Sequence, residues 1–275
     1  MKYILLFLCI LSLSCKYNVA NPVGTLRDYT EGSGIIYYVS SSDSEEKIKE
    51  TLMKNKHSLG KYLIKVSATN DTSNSATNIL NEIKKALTNN PSFNNVEVDI
   101  SKLEGITKIP ESAFKDVKNL GSISLSDKVT KINKEAFSGC SSLNNVRFSN
   151  GLEKICEGAF SNCVSLTLVM LSSEKEMTIE KNAFTGCSNL VNLVLPKNLK
   201  SVDNEAFKNC SQLKNVEYLG TENKPTGCKP FSNNGTKPKN LYLPNVEETS
   251  KTSFNSFLCE GSGIWTIHAK KHIPN

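Results

Sequence analysis

Histidine and cysteine are the residues of this chain best suited to hold a metal or act as nucleophiles, and their numbers and spacing do not favour either role. The three histidines, His57, His268 and His272, leave little material for a histidine-built centre. The sequence contains no H-E-x-x-H, G-x-S-x-G, G-x-x-x-x-G-K or G-x-G-x-x-G motif. We therefore predict a non-catalytic protein without cofactor or metal. An enzyme with its site in residues 35–92 is the alternative.

Four of the nine cysteines form a regular series, each three residues after a phenylalanine. The series comprises Cys140, Cys163, Cys187 and Cys210. Val117 fills the same position in an earlier unit, so the position is predicted to need a small apolar side chain. Extracellular proteins often pair cysteines, but equivalent residues of stacked units point in parallel, which opposes disulfide geometry. We predict buried thiols. No role is predicted for the other cysteines of this region, Cys156, Cys228 and Cys259.

The charge and hydropathy of the chain exclude two broad classes of protein. The net charge of +6 comes from scattered lysines, without a basic block and with one tryptophan, so nucleic-acid binding is not predicted. The long apolar run, residues 3–13, is well short of the ~20 residues that a membrane-spanning helix needs. An integral membrane protein is therefore not expected.

The first residues have the pattern of a secretory signal. Lys2 precedes the apolar run, and the stretch LSLSC ending at Cys15 resembles a bacterial lipobox. This resemblance implies a signal peptide over residues 1–14, lipidation of Cys15 and a flexible tether over residues 15–34. Cleavage after Ala20, which would discard Cys15, is the alternative.

An internal repeat decides the predicted fold. Five Ala-Phe pairs end at Phe114, Phe137, Phe160, Phe184 and Phe207, at intervals of 23, 23, 24 and 23 residues. Phe231 and Phe254 continue this spacing in two degraded copies. Within a unit, Leu143, Val146 and Phe148 give the pattern L-x-x-L-x-L, which predicts a short strand. The Ala-Phe pair with its cysteine predicts a short helical or 3₁₀ turn. We predict an α/β solenoid with a right-handed coil.

Three neighbouring repeats also resemble a known family. The segments AFSGCSSL, AFSNCVSL and AFTGCSNL, within residues 136–195, are similar to BspA-like, or Treponema-type, leucine-rich repeats. Residues 105–114, GITKIPESAF, resemble the opening unit of that family. The resemblance covers residues 93–269, although the last two units lose the Ala-Phe pair and gain residues around 220–238. It implies a bacterial surface or secreted protein that adheres to host or bacterial proteins.

Residues 35–92 lack the repeat and are predicted to be a small βαβα segment that covers the first coil. Residues 35–39 and 62–66 read as strands. Ser42 and Glu45 have capping-box spacing before a helix with Ile48, Leu52 and Met53 on its apolar face. Residues 74–87 predict a second helix. Residues 93–269 then form the solenoid, and residues 270–275 a C-terminal tail.

One face of the predicted strands presents two columns of outward side chains. Leu168, Met170 and Val194 are apolar and adjacent there, whereas most other members are small and polar. This cluster predicts a protein-binding patch, although single exposed hydrophobic residues are common on surfaces. The candidate site comprises Asn145, Arg147, Leu168, Met170, Asn192, Val194, Glu217 and Tyr242. A separate column, Lys108, Lys131 and Lys154, could attract anionic glycans or form a solvated edge.

Together these features predict a monomeric surface lipoprotein, anchored to a membrane by lipid alone, that binds a host matrix protein or another bacterial surface protein. A periplasmic scaffolding lipoprotein without a host ligand is the alternative.

Overall fold

The structure, a computed structural model, describes residues 27–30, 34–67, 72–223, 225–227, 229–232, 238–259 and 265–274. The predicted signal peptide and Cys15 lie outside these residues. Neither α-helix of the described chain combines the length and apolar character that a bilayer crossing requires.

Two helices and three short strands precede the repeats. The strands are β1 (Arg27–Thr30), β2 (Gly34–Tyr37) and β3 (Leu63–Lys65), and the helices are α1 (Glu45–Leu59) and α2 (Ser73–Thr88). Helix α2 begins after Thr72, whose side chain accepts a hydrogen bond from the Ser75 amide. Its buried face, with Ile79 and Ile83, repeats every three to four residues, as predicted. We call residues 34–92 the cap.

Asn55 joins three elements of the cap although it is a buried polar residue. Its Nδ2 donates to the Tyr37 carbonyl at 2.9 Å and to the Leu63 carbonyl at 2.8 Å. Its Oδ1 accepts from the Tyr37 amide at 2.8 Å. Because every polar atom of this amide is satisfied, helix α1 is fixed against β2 and β3 at little cost. Strand β3 pairs in parallel with the first repeat strand, so the cap continues the solenoid sheet.

Three details of this region differ from the sequence-based expectation. Helix α1 follows Ser44, not Ser42, and the Ser42 side chain instead lies 3.1 Å from the Ser40 hydroxyl. Met53 points to solvent because it lies off the stripe of Ile48 and Leu52. The predicted tether contains β1, which pairs antiparallel with β2.

The repeats form two parallel sheets, as the solenoid prediction requires. The front sheet contains β4 (Val96–Asp99), β6 (Leu120–Ser124), β8 (Asn145–Arg147), β10 (Leu168–Met170), β12 (Asn192–Leu195), β14 (Asn215–Tyr218), β15 (Asn240–Leu243) and β16 (Thr266–Ala269). The back sheet contains β5 (Lys108–Ile109), β7 (Lys131–Ile132), β9 (Lys154–Ile155), β11 (Met177–Ile179) and β13 (Leu199–Val202). Apart from β8 and β10, each strand pairs with its equivalent one repeat later, so the coils stack in register.

The front sheet is interrupted once. Its hydrogen-bonded ladder runs through β3, β4, β6 and β8, and a second ladder runs from β10 to β16. Within the described chain, no strand pairing joins β8 to β10. The back sheet is continuous through the same repeats.

The Ala-Phe segments are stacked turns closed by i to i+3 hydrogen bonds, which is the 3₁₀ alternative of the predicted turn. The Cys140 amide donates to the Phe137 carbonyl at 3.2 Å within the turn, and the Phe137 amide donates to the Ala159 carbonyl of the next coil at 2.7 Å. The residue before each Ala-Phe pair is left-handed, with φ of 52° at Glu135, 63° at Gly158 and 58° at Asn182. A left-handed residue in every turn prevents a continuous helix.

A stack of phenylalanine rings forms the centre of the core. The rings from Phe114 to Phe231 follow one another with centroid distances between 5.0 and 5.7 Å. Trp265 closes the stack, edge-on to Phe231 at 5.9 Å. Phe254, read as the last copy of the repeat, is buried against Tyr218 and Phe257, with centroids 6.2 Å away from each.

Candidate functional site

The front sheet presents its outward side chains in the two predicted columns. Leu168 is level with Asn192 and Asn215, and Met170 is level with Val194 and Glu217. Tyr242 follows Glu217 in the same row. Because successive side chains of a strand alternate between the faces, the intervening residues, such as Val169 and Leu193, are buried in the core.

The first column is an asparagine ladder. Asn215 Nδ2 donates to Asn192 Oδ1 at 2.8 Å, and Asn240 Nδ2 donates to Asn215 Oδ1, also at 2.8 Å. His268 Nε2 lies 3.4 Å from Asn240 Oδ1. The candidate residue Asn192 therefore has a structural role, since it accepts the first bond of this ladder.

Leu168 and Met170 are the exposed apolar part of the face. They are 42% and 54% exposed, and Met53 of the cap, at 51%, is the one other large hydrophobic residue exposed to this degree in the described chain. Both lie on β10, the strand beside the interruption of the front sheet. The asparagine ladder ends here because Leu168 takes the place of an asparagine.

Polar candidates flank this pair on β8, the preceding strand. Asn145 and Arg147 are exposed. Arg147 Nη2 lies 3.4 Å from an Asp127 carboxylate oxygen, and both side chains are more than half exposed. Such a surface ion pair is weak, so the guanidinium can exchange Asp127 for another acceptor at small cost.

Val194, Glu217 and Tyr242 face outward, as predicted, but they are not accessible. Their exposed fractions are 8%, 6% and 8%. Residues 270–274, the predicted tail, cross this end of the sheet and hold the Glu217 carboxylate. His272 Nδ1 lies 2.7 Å from Glu217 Oε1, and the Ile273 amide donates to Oε2 at 2.8 Å. The accessible face is therefore smaller than the sequence pattern predicts.

The start of this tail is fixed by the last strands. The Lys270 amide donates to the Leu243 carbonyl at 2.8 Å, and Lys270 has a φ of +53°, which turns the chain back after β16. The Lys270 ammonium pairs with Glu247 at 2.5 Å. Tyr242 stacks on His268 of β16 with centroids 4.6 Å apart. The signal for this arrangement is a lone acidic residue, Glu217, between apolar neighbours in an outward row.

The lysine column of the back sheet is partly neutralised by the next coil. Lys154 pairs with Glu180 at 2.5 Å. Outside this column, Lys134 pairs with Glu157 of the next coil and Lys200 pairs with Glu176 of the preceding coil, each at 3.0 Å. Alternating charges favour a solvated edge over a site for anionic glycans.

The cysteine series has no nucleophilic chemistry, since its thiols are buried and act as donors. Cys140 Sγ donates to the Phe114 carbonyl at 3.0 Å, and Cys163 Sγ to the Phe137 carbonyl at 3.1 Å. Burial raises the pKa of Cys140 to about 12 and holds the pKa of Cys163 and Cys187 well above the usual range. The thiolate, the reactive form, is therefore suppressed. The predicted buried thiols are confirmed, and Cys156 is also a buried thiol.

The residues that the structure describes contain no group of three or more histidine, cysteine or acidic side chains placed to hold a metal ion. Cys228 lies outside the described residues, and the side chain of Cys259 is not described.

Residues 107–237 match the family model of the BspA type leucine rich repeat region, in six copies. No curated protein matches the chain.

Solved bacterial structures resemble the chain at low identity. The Treponema pallidum leucine-rich repeat protein is 23% identical over 60% of this chain and 85% of its own, with a TM-score of 0.43. The pneumococcal vaccine antigen PcpA is 19% identical over 65% of this chain and 42% of its own, with a TM-score of 0.48. A leucine rich cell surface protein from Faecalibacterium prausnitzii is 21% identical over 74% of this chain and 39% of its own, with a TM-score of 0.41. The chain thus spans less than half of the last two proteins.

Proposed function

We propose, since residues 107–237 belong to the BspA-type leucine-rich repeats, that this chain is a non-catalytic surface protein that binds other proteins through its front sheet. The partner is an extracellular-matrix protein or a protein of another bacterial surface. The chain acts as a monomer held to a membrane by a lipid on Cys15, after removal of residues 1–14.

The observation that carries this proposal is the exposure of Leu168 and Met170 on one strand. Burial of large apolar side chains against a partner is favourable, by about 25 cal/mol for each Å² removed from water. Side chains of this kind, packed at the centre of an interface, contribute much of the binding energy of protein complexes. The pair lies on β10, beside the point where the ladder of the front sheet is interrupted.

The neighbouring polar residues can orient a partner through hydrogen bonds. Arg147 carries a planar group with five donors and is only weakly held by Asp127. Asn145 adds a donor and an acceptor that point to solvent. The arrangement is an apolar centre with a polar rim, which is the usual organisation of a protein interface.

The test is binding of the full chain, solubilised in mild detergent, to immobilised extracellular-matrix proteins and bacterial surface proteins. We expect saturable binding to at least one of them by surface plasmon resonance. The variant Leu168→Ser/Met170→Gln should weaken this binding at least 10-fold, because it removes the apolar centre.

The matched control is Met53→Gln, which changes an equally exposed methionine on the cap. This variant should bind as the unmodified chain does. Binding that survives the change at residues 168 and 170 would contradict the proposed surface, and no binding to any protein of the panel would contradict the function.

A further inference from the structure

Glu217 is a buried carboxylate on a face where polar side chains are otherwise open to water. Both of its oxygens are used, Oε1 by His272 Nδ1 at 2.7 Å and Oε2 by the Ile273 amide at 2.8 Å. The two donors belong to consecutive residues, the first through its side chain and the second through its backbone. One carboxylate therefore holds two consecutive residues on the sheet.

The segment that occupies this position is otherwise lightly held. The His272 side chain is 71% exposed, and Lys271 and Pro274 are also exposed. Ile273 is half-buried. Lys270, which begins the segment, has its own anchor on Leu243 and does not depend on Glu217. Residues 271–274 can therefore leave the sheet without disturbing β16.

Departure of this segment would uncover the Glu217 carboxylate within a row that also contains apolar side chains. Val194 is level with Met170 on one side and with Glu217 on the other, and Tyr242 follows in the same row. With residues 271–274 removed, the row from exposed Met170 through Val194 to Tyr242 would contain one uncovered carboxylate, that of Glu217. A partner that covered this carboxylate would displace its water, and the burial would be costly unless the partner supplied two hydrogen-bond donors. A peptide can supply both, one from a side chain and one from the backbone amide of the next residue.

We propose that Glu217, Val194 and Tyr242 form a peptide-binding subsite, occupied in this structure by residues 272–273 as an internal ligand. The external ligand is an extended peptide segment with a basic or imidazole side chain followed by an apolar residue other than proline. A cationic donor suits the carboxylate because charge-assisted hydrogen bonds are stronger than neutral ones. The inference rests on the proposed function, since it extends the Leu168/Met170 surface and adds competition by the chain's own residues.

The test uses a fluorescein-labelled peptide of residues 270–275, acetylated and amidated, and the full chain in mild detergent. In the unmodified chain the internal segment is present at a high effective concentration and should exclude the peptide. Ile273→Pro removes the amide donor of the internal segment. We expect this variant to bind the peptide at least 10-fold more tightly than the unmodified chain, measured by fluorescence anisotropy.

Two further variants separate the subsite from general effects. Ile273→Val keeps the amide and should behave as the unmodified chain. Glu217→Gln combined with Ile273→Pro replaces one acceptor oxygen by a donor and should abolish peptide binding. Thermal melts followed by circular dichroism verify that each variant is folded. Peptide binding by Ile273→Pro that is no tighter than that of the unmodified chain, or that persists with Glu217→Gln, would overturn the proposal.

The peptide assay needs no natural partner, so its failure differs from a failure of the proposed function. Peptide binding without binding to any immobilised protein would reject the function and retain the subsite. Binding to an immobilised protein without peptide binding would retain the function and reject the subsite. If both hold, Ile273→Pro should also tighten binding of the immobilised partner at least three-fold.

Discussion

At the scale of single residues, the cysteine series shows how a repeated position can have two requirements. Read from the sequence, Val117 implies that the position needs only a small apolar side chain. In the structure each cysteine thiol also donates to the phenylalanine carbonyl of the preceding coil, as Cys187 does to Phe160 at 3.2 Å. Val117 is the exception because no Ala-Phe pair precedes the first repeat. The thiol therefore adds a second donor to a carbonyl that already accepts a backbone amide, as Phe137 does from Cys140.

The thiol hydrogen bond predicts which of two substitutions at Cys163 is the more stable. Serine keeps a donor for the Phe137 carbonyl and alanine does not, so Cys163→Ser should be more stable than Cys163→Ala by about 1 kcal/mol. A position that was only apolar would give the opposite order, because it would bury a hydroxyl without a partner. Urea unfolding followed by circular dichroism measures the difference, and an alanine variant as stable as the serine variant would contradict the hydrogen bond.

At the scale of elements, the strands and the short turns were predictable, and the left-handed residue that opens each turn was not. A period of two within a strand and a constant repeat length determine which residues are level across the front sheet, so the register of Leu168 with Asn192 follows from spacing alone. The turn needs left-handed residues at positions occupied by glutamate, glycine and asparagine, and these residue types do not distinguish it from a helical turn. The predicted start of α1 was wrong for a similar reason, since Ser42 and Ser44 are the same residue type and the Ser44 side chain makes no capping hydrogen bond.

In the candidate site, too, the features that follow from strand periodicity were predictable and the others were not. The alternation of β10 predicts that Leu168 and Met170 point to solvent, and they do. Periodicity carries no information about a segment without repeats, so it could not predict that residues 272–273 cover Glu217.

The turn geometry leads to a prediction at Gly158. Its φ is +63°, and an added Cβ would meet its nearest neighbour, Glu135 Cγ, at 3.4 Å, which is ordinary contact. Gly158→Ala should therefore destabilise the chain by about 1 kcal/mol through the left-handed backbone alone. Asparagine tolerates this conformation, and Asn182 occupies the equivalent position of the next repeat with a φ of +58°. Gly158→Asn should be close to the unmodified chain in urea unfolding. Equal losses for both variants would contradict the backbone explanation.

At the scale of the whole molecule, ion pairs between neighbouring coils organise the surface charge. Lys115 pairs with Glu135 of the next coil at 2.7 Å, and Lys134 pairs with Glu157 at 3.0 Å. The hydrogen bond from Lys115 lowers the pKa of Glu135, and the hydrogen bond to Glu135 raises the pKa of Lys115. The net charge of +6 is thus distributed as pairs along the stack with a modest excess of lysine.

These pairs give a direction for the dependence of stability on pH. A carboxyl whose pKa is lowered by folding contributes stability above its unfolded pKa of 4.5, and this contribution disappears as pH falls through the folded value. A lysine whose pKa is raised contributes below 10.5, and its contribution disappears as pH rises through the folded value. We expect the melting temperature to be flat between pH 5 and 10 on account of these pairs, and to fall below and above that range.

The control for this prediction is Glu135→Gln, which cannot titrate. Its melting temperature should fall less between pH 5 and 3 than that of the unmodified chain, and the difference should shrink in 1 M salt because exposed pairs are screened. The same acid-induced fall in both chains would show that Glu135 makes no contribution.

The interruption between β8 and β10 has a mechanical consequence. In a stack of repeats each coil is coupled only to its neighbours, so a junction that lacks one of its ladders is the weakest link in the series. At this junction the back sheet is paired and the rings of Phe137 and Phe160 are stacked, whereas the front strands share no ladder. A load that pulls the two halves of the stack apart would therefore separate the front sheet first, beside Leu168 and Met170, while the back sheet acts as the hinge. Tension along the stack of coils would thus act first at the surface that we propose for binding.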